Sequence, residues 1–197
     1  MMKKQSLKML KQSDGQTMVE LALILPVLLL LSFGVFEYSR SVLTKNIITN
    51  MSREGANLAA RTQTDAQEIM TAIATTADPL DMGTNGMIFI TEVMGVDDGT
   101  GTYTADPIIQ AQYRYVNGGY SANSIVWGGC GSWTDGKCTV PGSPIADLEG
   151  DGSTISGMES VISDGQTVYA VEVFYDYAPI ISYVLNNNLE IYSRNVF

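Results

Sequence analysis

From Val19 to Phe36 the chain reads VELALILPVLLLLSFGVF, an apolar run in which Glu20 is the sole charge. As a helix, eighteen residues rise roughly 27 Å, just enough to cross a hydrocarbon core. Lipid offers no partner to backbone N–H and C=O groups, so a spanning segment has to satisfy them internally, as a helix does. Pro26 removes one such bond and predicts a kink, which membrane helices tolerate when neighbours compensate. Glu37, Tyr38 and Arg40 then mark the aqueous boundary, with Tyr38 suited to the interface.

Charge orients this segment. Residues 1–15 hold Lys3, Lys4, Lys8 and Lys11 against Asp14, a net +3, which leaves −13 for the remainder of a chain whose net charge is −10. Positive flanks stay cytoplasmic, so the acidic C-terminal part is expected on the far side. That acidity excludes nucleic acid as a partner, because phosphates would be repelled. A cleaved secretory signal shares the basic-then-apolar pattern. However, the run is longer than a usual signal core, and Glu37-Tyr-Ser-Arg40 offers no small-x-small cleavage site.

Helical periodicity continues past the membrane segment. Val42, Leu43, Ile47, Ile48, Met51, Gly55, Leu58 and Ala59 recur at three- and four-residue steps, predicting one amphipathic helix to about Arg61. Gly55, Ala56, Ala59 and Ala60 would let another element approach closely, the chain's own sheet being the expected one. Asp65 to Thr76 predicts a second, shorter helix capped by Thr64 or Asp65. Beyond Pro79 the composition turns to Gly, Thr, Asn, Asp and Tyr, and nine of the ten tyrosines follow residue 100, which predicts β structure. The expected strands are Met87–Met94, Ile108–Val116, Ser124–Trp127, Thr167–Tyr177 and Leu189–Val196, with turns such as Asp97-Asp98-Gly99 and Asn117-Gly118-Gly119. Alternation in the second strand predicts a polar face at Gln112 and Arg114. The fourth is expected to have one buried face and one partly wet face. The fold class is therefore α+β: a long N-terminal transmembrane and amphipathic helix, then a β-rich antiparallel domain with one short additional helix.

Ahead of the apolar run, Gly15-Gln16-Thr17-Met18-Val19-Glu20 sets a glycine five positions before a glutamate, behind a basic leader. This resembles a prepilin peptidase site, which implies Gly15 as the last leader residue, Gln16 as the new N-terminus and Glu20 as the pilin carboxylate. A carboxylate at the start of a membrane helix is costly without a partner, and a free α-amine on Gln16 or on a neighbouring subunit would be one. Without processing, Glu20 would sit at the membrane boundary and benefit from the helix dipole. The longer stretch GQTMVELALILPVLLLLSFGVFEYSR resembles the N-terminal signature of TadE-like proteins, with Val19, Glu20, Pro26, Gly34, Glu37 and Arg40 at the recurring positions. Arg53-Glu-Gly-Ala56 with Ala59-Ala60-Arg61 is similar to the family's second helical segment, and Val171 to Tyr177 followed by Ala178-Pro179 to its strand. Residues 80–160 resemble nothing nameable.

Cys130 and Cys138 close a short loop and predict a disulfide in an exported domain; two unrelated thiols are the alternative, and the absence of histidine argues against zinc. Asp147, Glu149 and Asp151 alternate as in a calcium loop. The closing carboxylate is out of register, since Met158 stands where it belongs and Glu159 follows one place late, so a solvated acidic turn is the preferred reading. No catalytic residues are assigned, for want of a histidine base or a serine in a nucleophile-elbow context, and no cofactor is implied. Glu172 and Asp176 could form an acid–base pair, but an outward sheet face accounts for both. Trp127 and Trp133 are read as core packing in preference to an adhesive or carbohydrate-contacting surface.

The resemblance implies a basic prepilin-type leader at 1–15, a transmembrane and amphipathic stem at 16–62 and an exported α+β domain at 63–197. It implies a minor pilin or pseudopilin of a Tad-type (Flp) pilus, single-pass in the bacterial cytoplasmic membrane with its N-terminus inside, and not an enzyme. Expected partners are the prepilin peptidase, other Tad pilins, the pilus assembly platform proteins and the membrane. The alternative is a membrane-anchored adhesin or binding module that uses residues 80–160.

Overall fold

A computed structural model describes residues 3–95, 108–128, 130–139, 162–163, 165–180 and 188–197. The elements in chain order are α1 (Lys3–Arg61), α2 (Ala66–Thr75), α3 (Met82–Asn85), β1 (Gly86–Met94), β2 (Ile108–Arg114), β3 (Trp133–Thr134), β4 (Lys137–Cys138), β5 (Thr167–Tyr177) and β6 (Leu189–Val196). They fall into two compact units, Met1–Val42 and Leu43–Phe197, with α1 contributing to both.

The helical unit contains Pro26 within α1. Its hydroxyls bond back along the helix, Ser32 Oγ to the Leu28 carbonyl and Ser39 Oγ to the Val35 carbonyl, each at 2.8 Å. Such back-bonding pairs these two hydroxyls within the helix itself, as an apolar setting requires. The segment Gly15–Arg61 is the one described helix long and apolar enough to cross a membrane.

In the second unit, the sheet runs β3-β4-β2-β1-β5-β6 with every pairing antiparallel. Paired residues of an antiparallel ladder share a face, so Ile88 with Val173 and Ile90 with Val171 define one side. The C-terminal part of α1 and α2 cover that side. A Cβ on Gly55 would meet Ile73 Cδ1 and Val171 Cγ1, each at 3.0 Å, so three elements converge where α1 has no side chain. Ser52 and Ser193 hydroxyls meet at 3.1 Å in the same layer. Ile48, Met51, Ala56, Ile69, Met70 and Ile73 join this core, as the small-residue pattern of α1 predicts, while Ala60 stays exposed. Asp65 caps α2, its carboxylate accepting from Gln67 N–H at 2.8 Å. The four-residue α3, capped by Asp81, is a helix beyond the single short one expected.

The opposite side carries Phe89, Glu172 and Phe174. Phe174 stacks edge-on to Phe89 with centroids 5.8 Å apart, and lies 4.8 Å from the Tyr192 ring. The loop from Ser121 to Gly128 and the β3–β4 hairpin lie over this side. The hairpin turns at Asp135 and Gly136 with φ of 50° and 77°. A two-residue turn with both φ positive matches the twist of the flanking strands and favours Asp-Gly. A Cβ at Gly136 would also strike the Arg114 carbonyl at 2.6 Å.

Three expectations are corrected here. Ser124–Trp127 is not a strand: Ile125 and Val126 donate their N–H groups to a side-chain carboxylate, and Trp127 N–H donates to Ser124 Oγ at 3.1 Å. Backbone donors committed to side chains cannot build a ladder. The polar face of β2 is half covered, since Gln112 is fully buried while Arg114 is exposed. β5 has no wet face through its centre, because it lies between β1 and β6 under covered layers on both sides.

Candidate functional site: an exposed apolar helix and a clamped cleft

Within the helical unit, every large apolar side chain from Met18 to Phe36 has half or more of its surface exposed, from Leu25 at 50% to Met18 at 72%. A helix apolar on all sides is built for burial in lipid or among other helices. Gly15, Gln16 and Glu20 lie on adjacent turns of α1, and Gln16 Nε2 donates to Glu20 Oε1 at 2.9 Å. Glu37 and Arg40 pair at 3.8 Å one turn apart. A Cβ at Gly15 or Gly34 would meet nothing within 4 Å, so no described part of this chain requires a glycine at either place.

In the sheet unit, the chemistry gathers on the face of Phe89. Glu172 is fully buried on β5, which corrects its expected placement on an outward face. Its Oε1 accepts from Ile125 N–H at 2.9 Å, Val126 N–H at 3.1 Å and the Tyr192 hydroxyl at 2.9 Å, and its Oε2 accepts from the Ser124 hydroxyl. Four donors compensate the buried carboxylate, and the β5–β6 ladder sets Arg194 opposite it. Burial first, and then the Glu172 charge, hold the Tyr192 hydroxyl well above the ordinary phenol range, so it stays a donor. Asp176 instead accepts from Asn188 Nδ2 at 2.7 Å, and the two carboxylates have separate partners.

Glu172 thereby ties the loop to the sheet, and Gln112 ties it a second time, donating Nε2 to the Trp127 carbonyl at 2.9 Å and to Thr91 Oγ1 at 3.0 Å. Cys130 and Cys138 are bonded, with Cα atoms 5.9 Å apart, and the bridge closes the hairpin that carries Trp133. Arg114 lies over the Trp133 ring at 4.9 Å, and Phe89 packs against that ring at 6.0 Å. Between sheet, loop and hairpin a cleft of about 140 Å³ remains, and Trp127 and Trp133 both line it. Trp127 is buried in a small core cluster, and Trp133 packs against it. At the far rim of the sheet, Tyr120 donates to Glu190 at 2.7 Å, a bond that, with burial, pushes its hydroxyl up to about 12.

Residues 15–57 match the family model described as TadE-like protein. The chain is TadE-like over this segment. No curated protein and no solved structure matches the chain. The TadE-like segment begins at Gly15 and holds Val19, Glu20, Pro26, Gly34, Glu37 and Arg40, whereas the strand Val171–Tyr177 and the residues Ala59-Ala60-Arg61 lie outside it. The cleft also lies outside it. Asp147, Glu149, Asp151, Met158 and Glu159 lie outside the described residues, as does the Asp97-Asp98-Gly99 turn.

Two features beyond the TadE-like segment escaped sequence reasoning although each left a signal. The hairpin was announced by Asp135-Gly136, a strong two-residue turn dipeptide. The buried role of Glu172 was announced by Val171, Val173 and Phe174 around it, since apolar residues at consecutive positions mark a strand covered on both faces.

Proposed function

We propose that this chain is a minor pilin or pseudopilin of a Tad-type pilus, acting by structural association and not by catalysis. The observation that carries the reading is the apolar helix whose large apolar side chains remain exposed from Met18 to Phe36, with Gly15 just ahead of it and Glu20 in its first turn at the prepilin spacing, matched by a TadE-like model that starts at Gly15. In this reading the prepilin peptidase cuts after Gly15 and frees the α-amine of Gln16. Glu20 then pairs with an N-terminal amine, its own or a neighbour's, which removes the cost of a carboxylate at the head of an apolar helix. Lipid receives the stem before assembly, and the stems of other Tad pilins replace lipid afterwards. The basic residues before Gly15 keep that end in the cytoplasm, and the sheet unit stands on the opposite side of the cytoplasmic membrane, where its disulfide is stable. A sheet unit of this size suits a priming or rare subunit better than a bulk fibre subunit.

The test is the mature N-terminus, read by mass spectrometry on protein from its native membrane. A start at Gln16 that is lost both in Gly15→Leu and in a peptidase-deficient strain is expected. An intact Met1, or a start beyond Phe36, would overturn the reading.

A further inference from the structure

Asn-Gly occurs twice in the chain, at Asn85-Gly86 and at Asn117-Gly118. The pair has a chemistry of its own, because glycine has no side chain to shield its amide nitrogen from the carboxamide carbon of the preceding asparagine. The fold treats the two copies differently. Asn85 is half-buried at the end of α3, where its N–H donates to the Asp81 carbonyl at 3.0 Å and the Gly86 N–H donates to the Met82 carbonyl. Gly86 itself is buried, opens β1 opposite Tyr175 and lies under the Met82 side chain. Bringing the Gly86 nitrogen onto the Asn85 side chain would undo the end of α3 and the start of the sheet together.

Asn117 is exposed, in the turn from Tyr115 to Gly118. Neither Val116 nor Asn117 has a positive φ, as in a type I turn, and the Gly118 N–H closes the turn on the Tyr115 carbonyl at 3.2 Å. That is the only described bond on the Gly118 nitrogen, and it lies in a solvent-facing loop, where local opening costs least.

We propose that Asn117 is a site of spontaneous deamidation in the folded protein, from which the fold protects Asn85. The Gly118 nitrogen loses its proton to solvent base and bonds to Asn117 Cγ, ammonia leaves, and a five-membered succinimide closes. Water then adds to one of the two ring carbonyls and breaks its bond to nitrogen. Opening on the side-chain carbonyl gives aspartate, and opening on the main-chain carbonyl gives isoaspartate, whose main chain runs through the former side chain. Water is the sole co-reactant. Both products add a negative charge, but isoaspartate also lengthens the main chain where there is no slack. A Cβ on Gly118 would meet the Gly86 carbonyl oxygen at 2.9 Å, one on Gly119 would strike the Gly83 carbonyl, and the Tyr120 N–H donates to the Gly86 carbonyl at 3.2 Å. Isoaspartate at this position therefore loosens the segment from α3 and β1, whereas aspartate leaves it seated. The inference does not depend on the assembly reading, since these residues lie outside the TadE-like segment.

The test is to age the full chain in detergent micelles at mildly alkaline pH, in water enriched in heavy oxygen, and to follow the two Asn-Gly peptides by mass spectrometry after digestion. Asn117 is expected to convert at least about tenfold faster than Asn85, taking up label and splitting into aspartate and isoaspartate peptides. In the urea-unfolded chain the two rates should come together. Asn117→Gln should abolish the reaction at that position. Aged protein should unfold at lower urea than fresh protein, while Asn117→Asp keeps the fresh midpoint. Equal rates at the two sites in the folded chain, a faster Asn85, or an Asn117 that stays intact while the unfolded chain reacts would overturn the proposal.

Discussion

The helical unit and the sheet unit treat apolar and polar groups in opposite ways. Between Met18 and Phe36 the large apolar side chains stay half or more exposed, whereas in the sheet unit even Gln112 and Glu172 are fully covered. An apolar surface left open needs its counterpart from outside the chain, and a polar group taken inside needs its counterpart within it. Glu172 obtains four donors from its own chain. No described residue packs around Leu28 or Leu30 to the same effect, and they are 56% and 70% exposed. The stem is therefore a surface waiting for an environment, and the sheet unit a structure that supplies its own.

The sharpest way to break this contrast is at Glu172. Glu172→Ala leaves two part-buried backbone N–H groups and two hydroxyls without their acceptor, and should lower the urea-unfolding free energy of the full chain in detergent by about 2–4 kcal/mol. Asp176→Ala, which loses one exposed bond to Asn188, should change it by less than about 0.5 kcal/mol. Equal effects would mean that Glu172 is no clamp.

A charge in the stem probes the other side. Leu28→Arg places a cation in the middle of the apolar run and should cost about 2.5–3.5 kcal/mol of membrane insertion, seen as protein released by alkaline carbonate extraction. The urea midpoint of the sheet unit should not move. A shift there would show that the two units share stability.

The smallest effect is a pH window. Tyr192 has its hydroxyl proton held more tightly in the fold than in the unfolded chain, and so does Tyr120, whose value rises to about 12. A raised value makes the native state the stronger proton binder above the unfolded phenol range, so this stabilisation is complete below about pH 10 and is lost as pH climbs beyond it. Tyr192→Phe should be about 1 kcal/mol less stable than the parent at pH 8, and that gap should narrow above pH 10. A constant gap up to pH 12 would contradict the coupling between Tyr192 and Glu172.

Much of the architecture was legible because it rests on local pattern. The α1 periodicity, the Asp65 cap and the strands at Ile108, Thr167 and Leu189 follow from residue spacing that neighbouring layers did not override. The cleft was not legible, because its parts come from β1, β2, the loop at 121–128 and the hairpin, and only strand pairing brings them together. Ser124–Trp127 read as a strand by composition, yet a carboxylate some 46–48 residues away along the chain captured its backbone donors. Lys45 shows the same dependence on distance, since its ammonium caps the outward Tyr192 carbonyl of the edge strand β6. Such a cation blunts an edge that would otherwise be open to pairing.

What the sequence by itself determined is the apolar stem, its TadE-like pattern, the helix that continues from it and the α+β class. These follow from hydrophobicity and periodicity, which act along a single segment. What only the tertiary structure decided is the sheet order, the inward turn of Glu172 and Gln112, and the cleft beneath the tryptophans. Whether a polar side chain faces solvent or a waiting set of donors depends on which distant segment covers it, and no local pattern carries that information.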